Sequence, residues 1–392
     1  MNAKHTNIQE RSLELHARHR GKIEVVGKIE IANNDDLAAV YTSGIAAVSE
    51  AISNDKSKVW EYTIKANSIA VVSDGSAVLG LGNIGPEAAI PVMEGKAMLF
   101  KKFAGIDAFP LCLDTQDTEE IIQTVKHIAP IFGGINLEDI SAPRCFEIEE
   151  RLKNELTIPV MHDDQHGTAV VVLVALINAL KVKQANKDTV RVYINGAGAA
   201  GTAIAELLLE YGFKNLVVAD SKGAIYKGRS DLNVHKMKLA DLTNIECHHD
   251  STVALCATGD LARSVKDFDI FIGVSKGDLL TDDMVRSMRA NPVIFALANP
   301  VPEITPDNAL ATGAFIVATG RSDFPNQINN VLAFPGIFRG ALMNRVRRIE
   351  KKMLINAAEN LAGCVDYPSS KRIIPDPFEE GVVDAVARAI HE

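Results

Sequence analysis

The sequence predicts an α/β protein built from two domains, a smaller α/β domain followed by a doubly wound one. Two observations support this prediction. Short β-branched runs alternate with helical stretches along the 392 residues, an order that is typical of mostly parallel sheets. A glycine-rich turn also joins one of these runs to a helix in the second half of the chain. We place the domains at residues 1–164 and 165–392, and we expect the helical stretch from about Asn344 to pack back on the first domain.

The predicted elements follow one another along the chain. A hairpin is predicted over Ile69–Leu79, because the turn pair Asp74-Gly75 separates two apolar runs. The later apolar runs predict strands at Ala108–Leu113, Gly134–Leu137, Ile158–Met161, Val190–Asn195, Leu216–Ala219, Ile270–Val274, Val293–Leu297 and Phe315–Ala318. Helices are predicted between them at Thr118–His127, Cys145–Leu156, Gly167–Leu180 and Gly201–Tyr211. Because Ala169–Leu180 is apolar on all sides, we expect it to lie in the most buried helix.

The composition excludes several classes of protein. Hydrophobic residues make up 47% and charged residues 23%, which argues against wholesale disorder. The net charge of −9 argues against nucleic acid as the main partner, since phosphate binding requires a basic face. The longest apolar run, Ala169–Leu180, is about half the length that a bilayer requires. The N-terminus lacks the apolar core of a signal peptide, and Glu10 and Glu14 argue against a mitochondrial presequence. A cytoplasmic protein is therefore expected.

The cysteines are few and odd in number, and they form no CxxC pair. This pattern predicts reduced thiols in a reducing compartment. The five residues are Cys112, Cys145, Cys247, Cys256 and Cys364.

The string GAGAAG (196–201) follows the predicted strand VRVYIN and opens a predicted helix. The next predicted strand, LVVAD, ends in an acidic residue. This is the arrangement of a Rossmann-type dinucleotide site: the glycines allow a tight turn near the pyrophosphate, the helix N-terminus supplies N–H donors, and the acid binds the ribose hydroxyls. The alternative is an ordinary glycine turn in an α/β sheet. The predicted cofactor-binding residues are Gly196, Gly198, Ala199, Ala200, Gly201 and Asp220.

Asp220 favours NAD, because its carboxylate repels the 2′-phosphate of NADP. Lys222 and Lys227 lie close behind it in the sequence, and these side chains keep NADP as the alternative. A second glycine string, GLGNIG (80–85), also follows a strand, but Pro86 comes directly after it and Pro91 interrupts the following helix. We predict a glycine-rich loop there rather than a second nucleotide site.

Two acid pairs follow neighbouring predicted strands. Glu138-Asp139 ends the run GGINL, and Asp163-Asp164 comes shortly after IPVM. If both strands are parallel members of one sheet, the four carboxylates meet at its carboxyl edge, where α/β proteins build their sites. Oxygen ligands without a Cys or His cluster indicate Mg²⁺ or Mn²⁺ rather than zinc. The alternative is helix capping by Asp139 and Asp164.

Two histidine-containing strings are weaker candidates for a metal site. Cys247-His248-His249-Asp250 reads better as a solvated loop, because adjacent side chains do not readily chelate one ion. His162 and His166 flank the second acid pair, but the string HDDQH has no zinc-site spacing. We expect these two histidines to support or cap neighbouring groups.

Taken together, the strings resemble those of the malic enzymes, specifically the short bacterial and archaeal form. The matching stretches are YTSGIA (41–46), SDGSAVLGLGNIGPEAAIPVMEGKAMLFKKFAGID (73–107), INLEDI (135–140), PVMHDDQHGTA (159–169), the GAGAAG loop, ALANP (296–300) and NQINNVLAFPGI (326–337). The resemblance implies oxidative decarboxylation of L-malate to pyruvate and CO₂, with NAD or NADP and with Mn²⁺ or Mg²⁺. It also implies a homodimer.

The resemblance further implies roles for individual residues. Tyr41 corresponds to the general acid, Lys96 to the general base and Asp163 to the carboxylate that pairs with this lysine. Ala77 stands where the long animal forms carry a substrate-binding arginine. The implied metal ligands are Glu138, Asp139 and Asp164, and the implied substrate contacts are Asn299, which is also expected at the cofactor, and Asn330.

Two other activities are alternatives. A malolactic enzyme keeps NAD bound and converts malate to lactate, but malolactic enzymes resemble the long form. A catalytically silent dinucleotide-binding regulator is the alternative from another class. The presence of Tyr41, Lys96 and all four acids argues against such a regulator.

Overall fold

The computed structural model describes residues 3–78, 80–245, 247 and 256–392. These residues form two parallel-type sheets surrounded by helices, so the predicted α/β class is confirmed. The helices of the described residues are α1 (Ala3–His19), α2 (Asn34–Val40), α3 (Ile45–Asn54), α4 (Val59–Tyr62), α5 (Pro86–Leu99), α6 (Thr118–Ile128), α7 (Arg144–Glu155), α8 (Asp163–Lys183), α9 (Ala199–Tyr211), α10 (Val234–Leu242), α11 (Leu261–Ser264), α12 (Asp282–Ser287), α13 (Pro306–Ala311), α14 (Phe334–Met343), α15 (Lys351–Ala362) and α16 (Val382–Ala387).

The first sheet has four strands. They are β1 (Ser68–Ser73), β2 (Asp107–Cys112), β3 (Gly134–Leu137) and β4 (Val160–His162). Their order is β2-β1-β3-β4 and all pairs are parallel. Helices α6 and α7 pack against each other beside this sheet, and α6 begins where the carboxylate of Asp117 accepts hydrogen bonds from the first turn.

The second sheet has six strands in the order β10-β9-β8-β5-β6-β7. They are β5 (Arg191–Asn195), β6 (Asn215–Asp220), β7 (Gly223–Ala224), β8 (Ile270–Gly273), β9 (Val293–Ala296) and β10 (Ile316–Thr319). Only the short β7 runs antiparallel to its neighbour. The strand order reverses between β5 and β8, and α/β sheets bind ligands beyond the strand ends at such a switch point.

Helix α8 begins directly at the end of β4 and forms the core between the sheets. Its residues from Ala169 to Leu176 are all buried, as expected for a segment that is apolar on every side. It packs against α9 and α15. By length and composition it is the one helix of the described residues that could cross a membrane, but two-thirds of the relevant window is buried inside the molecule.

The predicted hairpin over Ile69–Leu79 is wrong. Residues Ser68–Ser73 form β1, which pairs in parallel with β2 on one side and with β3 on the other. After the turn at Asp74-Gly75 the chain enters a loop, with a single bridge between Val78 and Gly82, and Leu79 lies outside the described residues. The local pattern of an apolar run and a turn is the same for a hairpin and for a central strand, and strands far away in sequence decide between them.

The prediction that all cysteines are reduced thiols is wrong for two of them. Cys247 and Cys256 form a disulfide with their Cα atoms 4.4 Å apart, whereas Cys112, Cys145 and Cys364 are free. Their spacing is not that of a CxxC pair, so the sequence carried no signal for it. The remainder of the CHHD string (248–250) lies outside the described residues.

The C-terminal part contacts both halves of the molecule. Phe334 and Phe338 of α14 pack on Phe100 of the first half, with ring centroids 4.6 and 5.6 Å away. Helix α15 packs mainly on α8, and α16 packs on α14 and α15. The helix that packs on the first half is therefore α14, which ends just before Asn344. The sequence analysis expected this contact from the stretch that begins at about Asn344.

Candidate active site

The register of the first sheet brings the two acid pairs together. Leu137 of β3 stands opposite His162 of β4, so the residues that follow each strand leave the sheet at the same edge. One carboxylate oxygen from each of Glu138, Asp139 and Asp164 can be chosen so that all three lie within 4.8 Å of one another. The predicted convergence of the acids is therefore present.

The acids do not act as helix caps. Asp164 is the second residue of α8, and its carboxylate accepts a hydrogen bond from the backbone N–H of Asp139 at 2.8 Å. Asp139 has a left-handed backbone conformation with a φ of 53°, and α7 begins only at Arg144. Within the described residues, Oδ2 of Asp139 has no hydrogen-bond partner although it is buried.

The electrostatics of this cluster fit a divalent cation. Burial and the neighbouring carboxylates raise the pKa of Glu138 to about 8 and the pKa of Asp139 to about 9. The pKa of Asp164 is lowered instead, because contact with His162 outweighs the effect of burial. Carboxylates that repel one another and keep a buried oxygen without a donor are suited to Mg²⁺ or Mn²⁺, which prefer hard oxygen ligands.

Lys96 of α5 completes the cluster from the opposite side. Its Nζ lies 2.5 Å from Oδ2 of Asp163 and 2.9 Å from Oε1 of Glu138, and 4.0 Å from the ring centroid of Phe334. Its side chain is only 7% exposed. Burial lowers the pKa of Lys96, but the two carboxylates outweigh this effect, so the pKa is raised and the ammonium is retained.

Asp163 is fully buried and links the two halves of the molecule. Its Oδ2 accepts hydrogen bonds from Lys96 and, at 2.6 Å, from the amide Nδ2 of Asn330. A β-carbon at Gly167 would lie 1.8 Å from Oδ1 of Asp163, so this glycine is required for the carboxylate to lie against α8. Sequence reasoning missed Gly167, although it stands one turn after the acid pair.

Glu149 of α7 supports the acid pair from behind and was also missed. Its carboxylate accepts from the backbone N–H of His162 at 2.8 Å and contacts Nε2 of His166 at 2.9 Å and Nζ of Lys153 at 2.8 Å. Burial raises the pKa of Glu149, but His166 and Lys153 hold it well below its usual range. Nε2 of His162 in turn lies 3.2 Å from Oδ2 of Asp164, which fits the supporting role expected for these histidines.

A cavity of about 350 Å³ lies between the acids and the second sheet. The first half of the chain contributes Asp139, Asp164 and the glycine-rich loop to its walls. The second half contributes Asn299 and Asn330, together with residues that follow β8 and β9. Two of the three predicted metal ligands, Asp139 and Asp164, therefore line the same cavity as both predicted substrate contacts.

Asn299 is held in this wall by close backbone packing. A β-carbon at Gly80 would lie 2.1 Å from the carbonyl oxygen of Asn299, and one at Gly320 would lie 2.9 Å from its amide nitrogen.

The buried carboxylate of Glu303 accepts hydrogen bonds from the backbone N–H groups of Ser275 and Ala298, at 3.2 and 3.1 Å. Burial raises the pKa of Glu303 to about 7. This carboxylate ties together the two strand-end loops of the wall.

The string GLGNIG is a loop, as predicted. It contains three glycines with positive φ, and α5 begins after it at Pro86. Because Gly80 has no side chain, the loop can lie directly against Asn299, in the cavity wall that the second half of the chain contributes.

The GAGAAG loop joins β5 to α9, as the fingerprint requires. Gly196 has a φ of 137°, and a β-carbon at Gly201 would lie 1.8 Å from the carbonyl oxygen of Gly196. Gly198 is the residue before α9, which begins with Ala199 and Ala200. The free N–H groups of this helix start form a suitable anion site.

Asp220 ends β6, where the fingerprint places the ribose, but its carboxylate already has partners. It accepts from Arg229 and Lys236, and these contacts are as short as 2.5 and 2.6 Å. The two lysines considered in the sequence analysis lie elsewhere: Lys222 pairs with Asp231 and Lys227 with Asp241.

Tyr41 is not part of the cluster in this chain. Its side chain is 69% exposed at the end of α2, and neither α2 nor α3 has a buried residue. A row of exposed apolar side chains extends along the same segment. Its members are Ile23, Val25, Val26, Ile29, Ile31, Leu37 and Ile45.

A carboxylate cluster facing a dinucleotide loop across a shared cavity defines a dinucleotide-dependent oxidoreductase. Family models described as "Malic enzyme, N-terminal domain" and "Malic enzyme, NAD binding domain" match residues 20–153 and 165–380. The chain belongs to the malic enzyme family.

The most similar relatives agree with this assignment. The chain is 52% identical to the bifunctional malic/malolactic enzyme of Bacillus subtilis, over 98% of this chain and 92% of that protein. It is also 52% identical to the NAD-dependent malic enzyme of Geobacillus stearothermophilus, over 98% and 79%. The crystal structure of the NAD-dependent malic enzyme of Thermotoga maritima superposes with a TM-score of 0.91 at 50% identity, and covers 96% of this chain and 98% of that one. Among more distant relatives, the NADP-dependent malic enzyme of Rhizobium meliloti is 44% identical, over 97% of this chain and 51% of that protein.

Proposed function

We propose that this protein oxidatively decarboxylates L-malate to pyruvate and CO₂, with NAD(P) as the oxidant and Mn²⁺ or Mg²⁺ as the metal. The observation that carries the proposal is the carboxylate cluster beside Lys96, on a cavity that the dinucleotide-binding half also lines. Membership of the malic enzyme family supports the same reaction. The enzyme is proposed to act in the cytoplasm, without nucleic acid or membrane partners.

Glu138, Asp139 and Asp164 are the proposed metal ligands. Three carboxylates leave open positions in an octahedral shell for a hydroxy acid and water. When bound, the metal lowers the pKa of the substrate hydroxyl and polarises the carbonyl that replaces it.

Lys96 is proposed to accept the proton of the malate hydroxyl, which requires a neutral amine. Glu138 and Asp163 both stabilise its ammonium form. If Glu138 held the metal, Lys96 would lose one of these supports and gain a positive charge nearby, and both effects would lower the pKa of Lys96. Asp163 remains to orient the amine.

Tyr41 is proposed to supply the proton at C3 after CO₂ has left. In this chain the side chain of Tyr41 is exposed and lies on an apolar surface. The proposed role therefore requires a partner surface that encloses Tyr41 in an active site. We propose that a second copy supplies it, in a homodimer formed through the segment Ile23–Ile45. The exposed apolar side chains of this segment support the homodimer, because an interface would remove them from water whereas a monomer leaves them exposed.

The dinucleotide is proposed to bind at Gly196, Gly198, Ala199, Ala200 and Gly201. Their backbone N–H groups at the start of α9 suit the pyrophosphate. Asn299 and Asn330 are proposed to contact the malate carboxylate and the nicotinamide amide from the cavity wall.

A malolactic activity is the second candidate, because one of the most similar relatives is a bifunctional malic/malolactic enzyme. The test is absorbance at 340 nm with malate, Mn²⁺ and either NAD or NADP, beside an assay for lactate. Accumulation of NADH or NADPH that requires the metal, in an amount equal to the pyruvate formed, supports the malic reaction. Formation of lactate without net formation of NADH or NADPH supports the malolactic reaction. If neither pyruvate nor lactate forms, both candidate activities are refuted.

A further inference from the structure

The carboxylate of Asp220 is saturated with donors from its own chain. Its Oδ1 accepts from the backbone N–H of Lys222 at 2.9 Å and from Nη1 of Arg229 at 3.0 Å. Its Oδ2 accepts from Nη2 of Arg229 at 2.5 Å and from Nζ of Lys236 at 2.6 Å. A carboxylate offers about four acceptor positions, so none is left for the two hydroxyls of a ribose.

This saturation removes the basis of the argument for NAD. That argument requires a free acid at the end of β6, which accepts hydrogen bonds from both ribose hydroxyls. Burial raises the pKa of Asp220, but Arg229 and Lys236 outweigh it and hold the pKa at about 2. The carboxylate therefore stays ionised and keeps both cations at neutral pH.

Lys236 and, to a smaller extent, Arg229 keep N–H donors that Asp220 does not use. Lys236 uses one of its three N–H bonds on Asp220, and its side chain is 28% exposed. Arg229 binds Asp220 through both Nη atoms and Asp231 through Nε, and its Nη1 also donates to the carbonyl oxygens of Gly223 and Ala224. These contacts fix the plane of its guanidinium and leave one N–H, on Nη2, for a ligand. With Lys222, which pairs with Asp231, three cations face two carboxylates here, so the cluster carries a net positive charge.

We propose that Arg229 and Lys236, held in place by Asp220, form a subsite for the 2′-phosphate of NADP, and that this chain consequently prefers NADP to NAD. The proposal rests on the proposed use of a nicotinamide dinucleotide. Asp220 then has a different role from the one the sequence indicated: it positions two cations rather than binding the ribose. A phosphate with nearly two negative charges at neutral pH is the ligand that such a pair recognises.

The experiment compares two probes that differ by a single phosphate, AMP and adenosine 2′,5′-bisphosphate. Their binding to the full chain is measured by calorimetry without malate, so that the result does not depend on catalysis. We expect the bisphosphate to bind about tenfold more tightly or better, since it adds charge-assisted hydrogen bonds at the 2′ position. Turnover with NAD and NADP is measured beside it.

Lys236→Met is the main variant, because it keeps the length of a partly exposed side chain and removes its charge. We expect it to lose most of the preference for the bisphosphate while AMP binding changes little. Arg229→Gln tests the second cation in the same way. Lys227→Met is the matched control: this lysine is 65% exposed and pairs with Asp241, so the preference should remain.

Equal binding of the two probes by the unmodified protein would overturn the proposal, as would an unchanged preference in Lys236→Met. These outcomes are separable from a failure of the proposed function. If the bisphosphate binds preferentially but malate is not oxidised with either dinucleotide, the subsite stands and the proposed reaction is wrong. If malate is oxidised with NAD and the bisphosphate has no advantage, the reaction stands and the subsite is wrong.

Discussion

The number of protons that Mn²⁺ displaces is a direct test of the proposed metal site. Burial and the neighbouring carboxylates raise the pKa of Asp139 to about 9, so this carboxyl holds a proton at pH 7 before a metal binds, whereas Glu138 forms an ion pair with the ammonium of Lys96. Metal ligands must be deprotonated. We therefore expect about one proton to be released at pH 7, and the apparent affinity to rise about tenfold per pH unit.

The assay is calorimetric titration with Mn²⁺ in pairs of buffers that differ in ionisation enthalpy, at pH 7 and at pH 9.5. Proton release should be much smaller at the higher pH, because Asp139 is then largely ionised before the metal binds. Asp139→Asn should release about one proton fewer than the unmodified protein at pH 7. Asp283→Asn is the control, because this side chain is 96% exposed on α12 and should leave the number unchanged.

Two results would refute the reasoning. Binding without proton release at pH 7 would mean that the carboxyls are already ionised or are not ligands. A number of protons that is the same at both pH values would assign the release to other groups.

Four further outcomes are expected. In the metal-free protein the raised pKa values of the cluster make the folded state bind more protons than the unfolded state, so the melting temperature should fall as the pH rises from 5 to 9, and Mn²⁺ should restore it. Asp164→Asn should abolish turnover while dinucleotide binding, measured by fluorescence, stays nearly intact; turnover near the unmodified rate at low Mn²⁺ would show that Asp164 is not a ligand. Tyr41→Phe should slow the exchange of deuterium into pyruvate by roughly 10²–10⁴-fold, whereas Lys96→Ala should mainly slow the conversion of oxaloacetate to malate. Equal loss of both reactions in both variants would contradict separate roles for the two residues. Gly201→Ala should weaken dinucleotide binding and lower the melting temperature, since its β-carbon would lie 1.8 Å from the Gly196 carbonyl oxygen, and an unchanged variant would contradict the tight turn.

The second sheet could be predicted from the sequence because its signals are local. The run Val190–Asn195 is apolar and β-branched, and β5 spans Arg191–Asn195. The glycine spacing then specifies the turn into α9, whose geometry leaves no room for a side chain at Gly201. Burial on both faces of a parallel strand produces a continuous apolar run, which is a strong signal in any single sequence.

The hairpin error has a different cause, since it depended on a partner far away in the chain. β1 is a central strand because β3 lies beside it, and nothing in Ile69–Leu79 indicates that pairing. Distance does not explain why the partners of Asp220 were not identified, because Arg229 and Lys236 follow it by only 9 and 16 residues. Which of the nearby cations turns toward the carboxylate depends on the fold of the loop after β7, and the sequence analysis considered Lys222 and Lys227 instead.

The candidate site divides in the same way. Strand ends alone predicted that Glu138 and Asp164 would meet, because parallel neighbours deliver their following residues to one edge. Lys96 and Tyr41 carry no such signal, since a single Lys on a helix and a single Tyr in a loop are common on any surface. Only the resemblance to a family singled them out, and the structure brings Lys96 to the acids while it leaves Tyr41 exposed.

Lys96 also explains why the acids of the cluster differ in their surroundings. In the metal-free site its ammonium lies between Glu138 and Asp163 and partly neutralises the buried charge that a divalent cation would neutralise. The lysine and the cation therefore compete for Glu138, whereas Asp163 also accepts a hydrogen bond from Asn330 and is not among the clustered ligand oxygens. If Glu138 binds the metal as proposed, this single change of partner would have two effects: it would complete the proposed substrate site, and it would lower the pKa of the amine that is proposed to accept the substrate proton.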